Sequence, residues 1–246
     1  MVGIGASAGG VQALQHLFDA LPDKTGAAFV VVVHLDPQVR SELSSILATR
    51  TRMPVSQVEE PVPLQADHVY VIPPDRRLHI TNDEIATAEF DEPRGHRAPI
   101  DLFFRSLAEQ HGDGCAVILT GAGSDGAVGV RAVKESGGII LVQDPDEAEY
   151  PSMPRSAIAT GIADFVLPVR ELAERLAELV REKSNGANAS RRNFDEELLQ
   201  RILAYVRVRT GHDFSKIQAA DHLAQTCPPH AGDQNRRPER LLRRAA

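Results

Sequence analysis

The sequence has few of the residues that would place it in several common protein classes. It contains no tryptophan and only two cysteines, and aromatic residues make up 4% of its 246 positions. Two cysteines cannot supply the disulfide framework of a secreted protein, and the N-terminus lacks the basic and apolar regions of a signal peptide. The longest unbroken apolar run, residues 27–33, is far shorter than the roughly 20 residues that span a bilayer. We therefore expect a cytoplasmic protein without membrane insertion.

An excess of positive charge is also missing. The chain carries 27 Lys+Arg against 34 Asp+Glu, for a formal net charge of −7. Nucleic-acid binding needs clustered cations, so we expect no nucleic-acid partner. Apolar residues make up 42% of the chain, which is enough for a packed core.

The charge is unevenly distributed along the chain. Residues 1–183 contain 16 basic and 27 acidic side chains, a net charge of −11, whereas residues 184–246 carry +4. The change coincides with a small polar stretch at 184–192 that is typical of a linker. The sequence thus predicts one domain over 1–183, a short helical extension at 193–217 and a disordered basic tail at 218–246.

Short apolar runs alternate with helical patterns within residues 1–183. The main strands are predicted at 2–5, 28–34, 68–72, 115–120, 139–143 and 164–167. Helices are predicted at 9–20, 41–49, 100–111, 126–136, 154–160 and 169–182. A hairpin is predicted from two further strands, 78–81 and 85–88. This alternation predicts the α/β class: a doubly wound, mainly parallel, Rossmann-like sheet with helices on both faces.

Three predicted strands end in polar residues that could act together. The first is followed by Gly5-Ala-Ser7-Ala-Gly9, the G-x-S-x-G pattern of a nucleophile elbow. The second ends at His34, and the third is followed by a glycine-rich loop that contains Asp125. A serine hydroxyl needs an imidazole to take its proton, and the imidazole needs a carboxylate to hold it. Because the carboxyl ends of parallel strands meet at one edge, the sequence predicts a Ser7–His34–Asp125 triad.

Two other functions fit parts of the same pattern. Gly-x-Gly-x-x-Ala at 3–8 and Gly-x-Gly-x-x-Gly at 121–126 match forms of the dinucleotide fingerprint, although the Asp125 carboxylate would repel a phosphate. A metal site of His34, Asp36 and His96 has no diagnostic ligand spacing. We expect no metal and no cofactor.

Single residues also have ordinary structural interpretations. Asp125 could be the N-cap of a helix, because aspartate is favoured at that position. His96 and Arg97 could line a cleft, or they could cap the predicted helix at 100–111 or pair with surface acids. Both interpretations of these two residues stay open on the sequence alone.

Five segments occur in order over about residues 1–180: IGASAGG (4–10), VVVHLDP (31–37), HRAPIDLFFRSLA (96–108), VILTGAGSDGAVGV (117–130) and MPRSAIATG (153–161). Together they resemble the catalytic domain of the chemotaxis protein-glutamate methylesterase, CheB. The resemblance implies hydrolysis of glutamate γ-methyl esters on the cytoplasmic helices of chemoreceptors, with release of methanol. It also implies deamidation of receptor glutamines in many members.

The resemblance assigns roles to individual residues. The nucleophilic serine, the histidine and the aspartate of the family fall on Ser7, His34 and Asp125. A backbone N–H that helps to hold the oxyanion falls on Ala122, and we expect the N–H of Ala8, at the start of the first helix, to join it. The nucleophile and base are therefore the same residues that the strand-end pattern indicates.

Residues 193–215 (NFDEELLQRILAYVRVRTGHDFS) resemble the opening of the N-terminal helical domain of the chemotaxis methyltransferase, CheR. This order implies a CheB–CheR fusion, although the resemblance ends near Lys216. The expected function is that of a serine hydrolase in chemotaxis adaptation, acting as a monomer. A nucleotide-binding Rossmann-like domain and a catalytically inactive receptor-docking fragment are the alternatives.

Overall fold

The computed structural model describes residues 1–35, 41–93 and 95–184. They lie within the first of two units into which the chain divides, Met1–Ala187. The predicted helical extension at 193–217, the predicted tail at 218–246 and all but the first residue of the predicted linker lie outside the described residues.

Seven parallel strands form the central sheet. Numbered in chain order among the ten strands, they are β1 (Val2–Ala6), β2 (Ala28–Val33), β3 (Val55–Gln57), β5 (His68–Val71), β8 (Cys115–Ile118), β9 (Ile139–Gln143) and β10 (Phe165–Leu167). Their order across the sheet is β10-β9-β8-β1-β2-β5-β3. β1 is therefore central, and every pair in this sheet is parallel. The predicted parallel α/β sheet is confirmed.

The central strands consist of apolar residues without polar alternation. Every residue of β1 and β8 is buried, and so is every residue of β2 and β9 after the first. Such runs are typical of strands that are covered on both faces, because neither set of alternate side chains meets water. The strands β1, β2 and β8 are thus buried neighbours whose carboxyl ends lie side by side.

Helices cover both faces of the sheet. They are α1 (Gly10–Ala20), α2 (Leu43–Ala48), α3 (Pro99–Gln110), α4 (Gly129–Glu135), α5 (Ser152–Ala159) and α6 at residues 169–184. A Cβ at Gly5 would meet Ile100 of α3, whereas the Cβ of Ala6, on the other face of β1, lies toward Gly10 of α1. The two helices therefore pack on opposite faces, as a doubly wound sheet requires. No helix among the described residues is long and apolar enough to cross a bilayer.

A small antiparallel sheet lies outside the parallel one. It contains β4 (Val62–Pro63), β6 (Arg77–Thr81) and β7 (Glu84–Ala88) in the order β4-β7-β6. Asn82 and Asp83 join β6 to β7 with φ of 52° and 61°, as a two-residue type I′ turn requires. The predicted hairpin is confirmed. Strands β3 and β4 escaped prediction because three and two residues are too few to show a period.

Candidate active site

Three strand ends meet at the carboxyl edge of the parallel sheet. β1 lies between β2 and β8, because the chain first moves from β1 to β2 and later returns to place β8 on the other side. Such a reversal opens a crevice in which doubly wound proteins bind their ligands. Ser7 follows β1, His34 follows β2, and Asp125 lies in the loop after β8. The topology therefore brings all three predicted residues to one crevice.

Their side chains form one hydrogen-bonded row. Ser7 Oγ lies 3.1 Å from His34 Nδ1, and His34 Nε2 lies 2.8 Å from Asp125 Oδ2. An ionised carboxylate can only accept hydrogen bonds, so Nε2 carries the ring proton and Nδ1 accepts the hydrogen of the serine hydroxyl. The imidazole is thereby held in the tautomer that can take a proton from Ser7.

The Asp125 carboxylate is tied to the start of α3. Oδ2 accepts the N–H of Ile100 at 3.0 Å as well as His34 Nε2, and Oδ1 accepts the N–H of Asp101 at 2.9 Å. The amino end of a helix favours a negative charge because its first N–H groups have no partners within the helix. Asp125, whose side chain is 8% exposed, is thus positioned by α3 and faces His34.

Asp101 holds the helix that follows Asp125. Its Oδ1 accepts the N–H groups of Val128 and Gly129 at 3.0 and 2.6 Å, where α4 begins. Asp125 therefore does not cap α4, the helix that follows it in the chain. Its carboxylate accepts N–H groups at the start of α3, whereas Asp101 accepts those at the start of α4. Burial raises the pKa of the Asp101 carboxyl, and the negative charge of Asp125 raises it further, against the lowering effect of the Gly129 N–H.

A tight turn carries Ser7 from β1 into α1. Gly9 adopts a positive φ of 71°, and the N–H of Gly10 donates to the carbonyl of Ser7 at 2.8 Å. The N–H of Ser7 donates to the carbonyl of Thr120 at 3.0 Å, and this bond holds the turn against the segment that follows β8. A Cβ at Gly9 would lie 2.7 Å from Glu149 Oε2, so only glycine fits this turn without displacement.

The two backbone groups predicted to hold an oxyanion belong to segments that adjoin Ser7. Ala8 follows Ser7 directly, and Ala122 follows Gly121, whose Cβ, if present, would lie 2.9 Å from Ser7 Cβ. Within the part of the chain that the structure describes, neither the Ala8 N–H nor the Ala122 N–H donates to a protein acceptor. Both groups are thus available to a bound ligand.

A cleft of about 380 Å³ opens beside His34. Its lining includes Arg97, which pairs with Asp75 and lies with its guanidinium carbon 4.6 Å from the centre of the Phe90 ring. Arg97 therefore satisfies both of its predicted interpretations, since it lines the cleft and also pairs with an acid. His96 is exposed, and its backbone N–H donates to the carbonyl of Pro93.

The structure also bears on the two alternative functions, the dinucleotide fingerprint and the metal site. A Cβ at Gly3 would lie 2.9 Å from Phe103 Cε1, so Gly3, like Gly5, serves the packing of α3 on β1. These glycines need no phosphate to explain them. Asp36, one of the three residues of the metal-site alternative, lies outside the described residues, and no group of three or more metal-ligating side chains occurs among those described.

Sequence reasoning missed the polar residues that hold the segments around the site by hydrogen bonds. Thr120 and Gln143 are 1% and 3% exposed, and the Thr120 N–H donates to Gln143 Oε1 at 2.7 Å. Asp101, which holds α4, was missed as well. A polar residue at the end of a buried apolar strand was the available signal for Thr120 and Gln143, because buried polar groups need partners.

Gly121 leaves room for the side chains of Ser7 and Met153. A Cβ at Gly121 would overlap Met153 Sδ and lie 2.9 Å from Ser7 Cβ. We therefore expect Gly121→Ala to displace Ser7 and to slow its labelling by a fluorophosphonate probe about 100-fold, the size of effect that an ångström-scale misplacement produces. The labelling rate is measured on the folded variant.

Gly114→Ala is the matched control for this prediction. A Cβ there would lie 2.9 Å from Leu107 Cδ1, at the opposite end of β8 from Ser7. This variant should lose about 1–3 kcal/mol of stability by overpacking while its folded fraction labels at the wild-type rate. Equal labelling rates in the two variants would show that Gly121 has no special relation to Ser7.

A serine hydroxyl, an imidazole and a carboxylate in one hydrogen-bonded row define a hydrolase of the serine type. The family model for CheB methylesterase matches residues 2–176, which is more than half of the chain. The chain belongs to the CheB methylesterase family. The family membership and the packing role of Gly3 and Gly5 leave the nucleotide-binding alternative without support.

Known relatives and a solved structure resemble the same part of the chain. A Leptospira interrogans protein, named for protein-glutamate methylesterase and protein-glutamine glutaminase activities, is 37% identical over 178 residues, which are 72% of this chain and 92% of that protein. A Burkholderia thailandensis protein-glutamate methylesterase/protein-glutamine glutaminase is 35% identical over 182 residues, 73% of this chain and 53% of that protein. The chain thus matches about half of the Burkholderia protein.

The crystal structure of the Thermotoga maritima CheB methylesterase catalytic domain has the same architecture. It matches with a TM-score of 0.68 and 32% identity, over 72% of this chain and 97% of that one. The predicted fold class and the predicted hydrolase family are therefore both confirmed. The CheR-like segment lies outside the residues covered by the family model.

Proposed function

We propose that the described domain hydrolyses γ-methyl esters of glutamate side chains in chemoreceptors, with Ser7 as the nucleophile. The observation that carries the proposal is the hydrogen-bonded row from Ser7 through His34 to Asp125 in a chain of the CheB methylesterase family. The named relatives add a second substrate, the side-chain amide of glutamine.

The first half of the reaction forms an acyl-enzyme. His34 Nδ1 takes the hydroxyl proton while Ser7 Oγ attacks the ester carbonyl. The carbonyl oxygen becomes an oxyanion, which the N–H groups of Ala8 and Ala122 stabilise. Collapse of the tetrahedral intermediate breaks the bond to the methoxy group. His34 gives its proton to that group, and methanol leaves.

The second half regenerates the enzyme. A water molecule takes the place of methanol, His34 removes its proton, and the resulting hydroxide attacks the acyl carbonyl. The bond to Ser7 breaks, Ser7 Oγ recovers the proton, and the product is a glutamate side chain. Asp125 stays ionised throughout, since it orients the imidazole and stabilises its cation. The same steps on a glutamine amide would release ammonia.

The substrate segments are the cytoplasmic helices of methyl-accepting chemoreceptors, which places the reaction in the cytoplasm. The three side chains of the row come from one chain, so the proposed reaction needs no second copy, and the monomeric state stays a prediction. The CheR-like interpretation of residues 193–217 stays a prediction.

Methanol release from a methylated receptor fragment tests the proposal. The purified full chain is incubated with the fragment, and methanol is measured against time with and without the protein. We expect catalytic release of methanol and a matching loss of methyl ester, with Ser7 labelled by a serine-hydrolase probe. Receptor binding without methanol release or probe labelling would instead support the inactive docking alternative and contradict the proposed function.

A parallel assay addresses the second substrate. Replacing the methylated glutamates of the fragment by glutamines should give release of ammonia from the same site. Loss of both activities on phosphonylation of Ser7 by a fluorophosphonate probe would show that a single nucleophile serves both substrates.

A further inference from the structure

Thr120 has a buried hydroxyl that contacts two chain segments at once. Its Oγ1 lies 3.2 Å from the carbonyl oxygen of Ala8 and 3.3 Å from that of Tyr150, and it accepts the N–H of Tyr150 at 2.8 Å. The residue is 1% exposed, so water does not replace these partners. The hydroxyl therefore joins the turn of the nucleophile to the segment at Tyr150.

The backbone of Thr120 holds the same turn from the other side. Its carbonyl accepts the N–H of Ser7 at 3.0 Å. That N–H belongs to the peptide group that precedes the nucleophile. Thr120 thus contacts the chain both before the Ser7 side chain, through Ser7 N, and after it, through the Ala8 carbonyl. These two contacts fix the peptide between Ser7 and Ala8, whose N–H is one of the proposed oxyanion donors.

The loop that contains Ala122, the second proposed oxyanion donor, is held by the segment at Tyr150. Gly121 donates its N–H to the carbonyl of Tyr150 at 2.9 Å, and Met153 donates its N–H to the carbonyl of Gly121 at 2.9 Å. Ala122 follows directly. The segment at Tyr150 therefore contacts both the Thr120 hydroxyl and the residue before Ala122.

Thr120 is itself held by a chain of hydrogen-bonded polar groups. Gln143 Oε1 accepts the Thr120 N–H at 2.7 Å, and Gln143 Nε2 donates to Glu147 Oε2 at 3.1 Å. The same Glu147 oxygen accepts the N–H of Val169, where α6 begins, at 2.7 Å. Through these hydrogen bonds, the chain connects β9 and the start of α6 to Thr120.

We infer that Thr120 is a positioning residue, whose hydroxyl aligns the Ser7 nucleophile with the two oxyanion donors at Ala8 and Ala122. This inference rests on the proposed function. Among the described residues, Thr120 has no hydrogen bond to His34 or Asp125, so we expect it to act on the nucleophile and the oxyanion donors and to leave the base unchanged. Its loss should therefore slow acylation at every pH to the same extent.

Substitutions at Thr120 separate the hydroxyl from the shape of the side chain. Thr120→Val keeps the branched shape and removes the hydroxyl, whereas Thr120→Ser keeps the hydroxyl. We expect kcat for methanol release to fall about 10- to 100-fold in Thr120→Val, with KM within twofold of wild type, and to stay within about threefold in Thr120→Ser. The pH at the midpoint of the kcat/KM profile should not change in either variant.

A second pair of variants covers the case in which Thr120→Val does not fold. Thr120→Ala and Thr120→Ser differ by one hydroxyl group, and both are smaller than threonine. Labelling of Ser7 by a fluorophosphonate probe should be at least tenfold slower in Thr120→Ala than in Thr120→Ser. Equal labelling rates in this pair would overturn the inference.

Ser106→Ala is the matched control. Its hydroxyl also joins two backbone groups, since Oγ accepts the N–H of Ile80 at 2.7 Å and donates to the Ile80 carbonyl at 3.3 Å. It lies on the face of α3 that contacts β6. We expect a lower melting temperature in this variant with an unchanged labelling rate. A fall in labelling as large as in Thr120→Ala would mean that general destabilisation explains the effect, and would overturn the positioning role.

The outcomes also separate this inference from the proposed function. If the wild-type chain is labelled by the probe but releases no methanol, the proposed substrate is wrong, while the labelling rates still test Thr120. If wild type releases methanol and Thr120→Val releases it at the same rate, the positioning role is wrong and the proposed function stands.

Discussion

Ser7→Ala should lower kcat for methyl-ester hydrolysis by about five to six orders of magnitude, because the proposed acyl-enzyme forms on the Ser7 hydroxyl. The rest of the crevice should stay in place. The Ser7 hydroxyl has one hydrogen bond among the described residues, to His34 Nδ1, while the turn is held by backbone bonds to Thr120 and Gly10. The variant should therefore melt near the wild-type temperature.

Methanol release and probe labelling measure this prediction. Ser45→Ala is a suitable control, since Ser45 is exposed on α2 and the same chemical change there should leave both readouts unchanged. Methanol release by Ser7→Ala within tenfold of wild type would mean that another group is the nucleophile.

Asp125→Asn should lower kcat by about three to four orders of magnitude while the domain stays folded. The three partners of this carboxylate among the described residues are all donors: His34 Nε2, the N–H of Ile100 and the N–H of Asp101. An asparagine has only one acceptor oxygen, so its NH₂ group must face either His34 or the N–H of Asp101. If it faces His34, the imidazole changes tautomer and Nδ1 carries a hydrogen toward Ser7, so His34 can no longer act as a base.

The other orientation is also unfavourable. An oxygen toward His34 places the NH₂ group against the N–H of Asp101, where two donors oppose each other near the start of α3. A loss of about 1–3 kcal/mol of stability should accompany the loss of activity, because one buried donor is left without an acceptor. Circular dichroism and a urea titration measure the stability, and methanol release measures the activity.

Asp67→Asn provides the matched control. The Asp67 carboxylate also accepts backbone N–H groups, from Thr25 and Gly26 at 2.7 Å each, but it lies before β5 at the opposite edge of the sheet. Both N–H groups donate to the one oxygen Oδ1, which an asparagine retains, so the variant should lose less stability than Asp125→Asn and keep wild-type kcat. If Asp125→Asn also keeps full activity, Asp125 serves the fold alone.

The sequence predicted much of the fold because the central strands are apolar over their whole length. Buried parallel strands cannot alternate with polar residues, so β2 and β8 are evident from composition, and the helices between them follow from their apolar spacing. The short strands β3 and β4 show no such signal. Their pairing depends on neighbours that are distant in the chain.

The sequence also determined which three residues could form the site. Ser7, His34 and Asp125 each follow a strand, and chemistry collects at the carboxyl ends of parallel strands. The alternatives at each single residue could not be settled by pattern, because a glycine turn, a strand-end histidine and a capping aspartate are all common in proteins with no catalytic use for them.

Tertiary structure alone decided how these residues are used. It placed Asp125 at the start of α3 instead of α4, directed His34 Nδ1 toward Ser7, and brought the Thr120 hydroxyl to the Ala8 carbonyl. Each of these contacts joins residues between 25 and 112 positions apart in the chain. A pattern within a strand or helix reports the faces of that element, whereas the partner of a side chain depends on which other element the fold places against it.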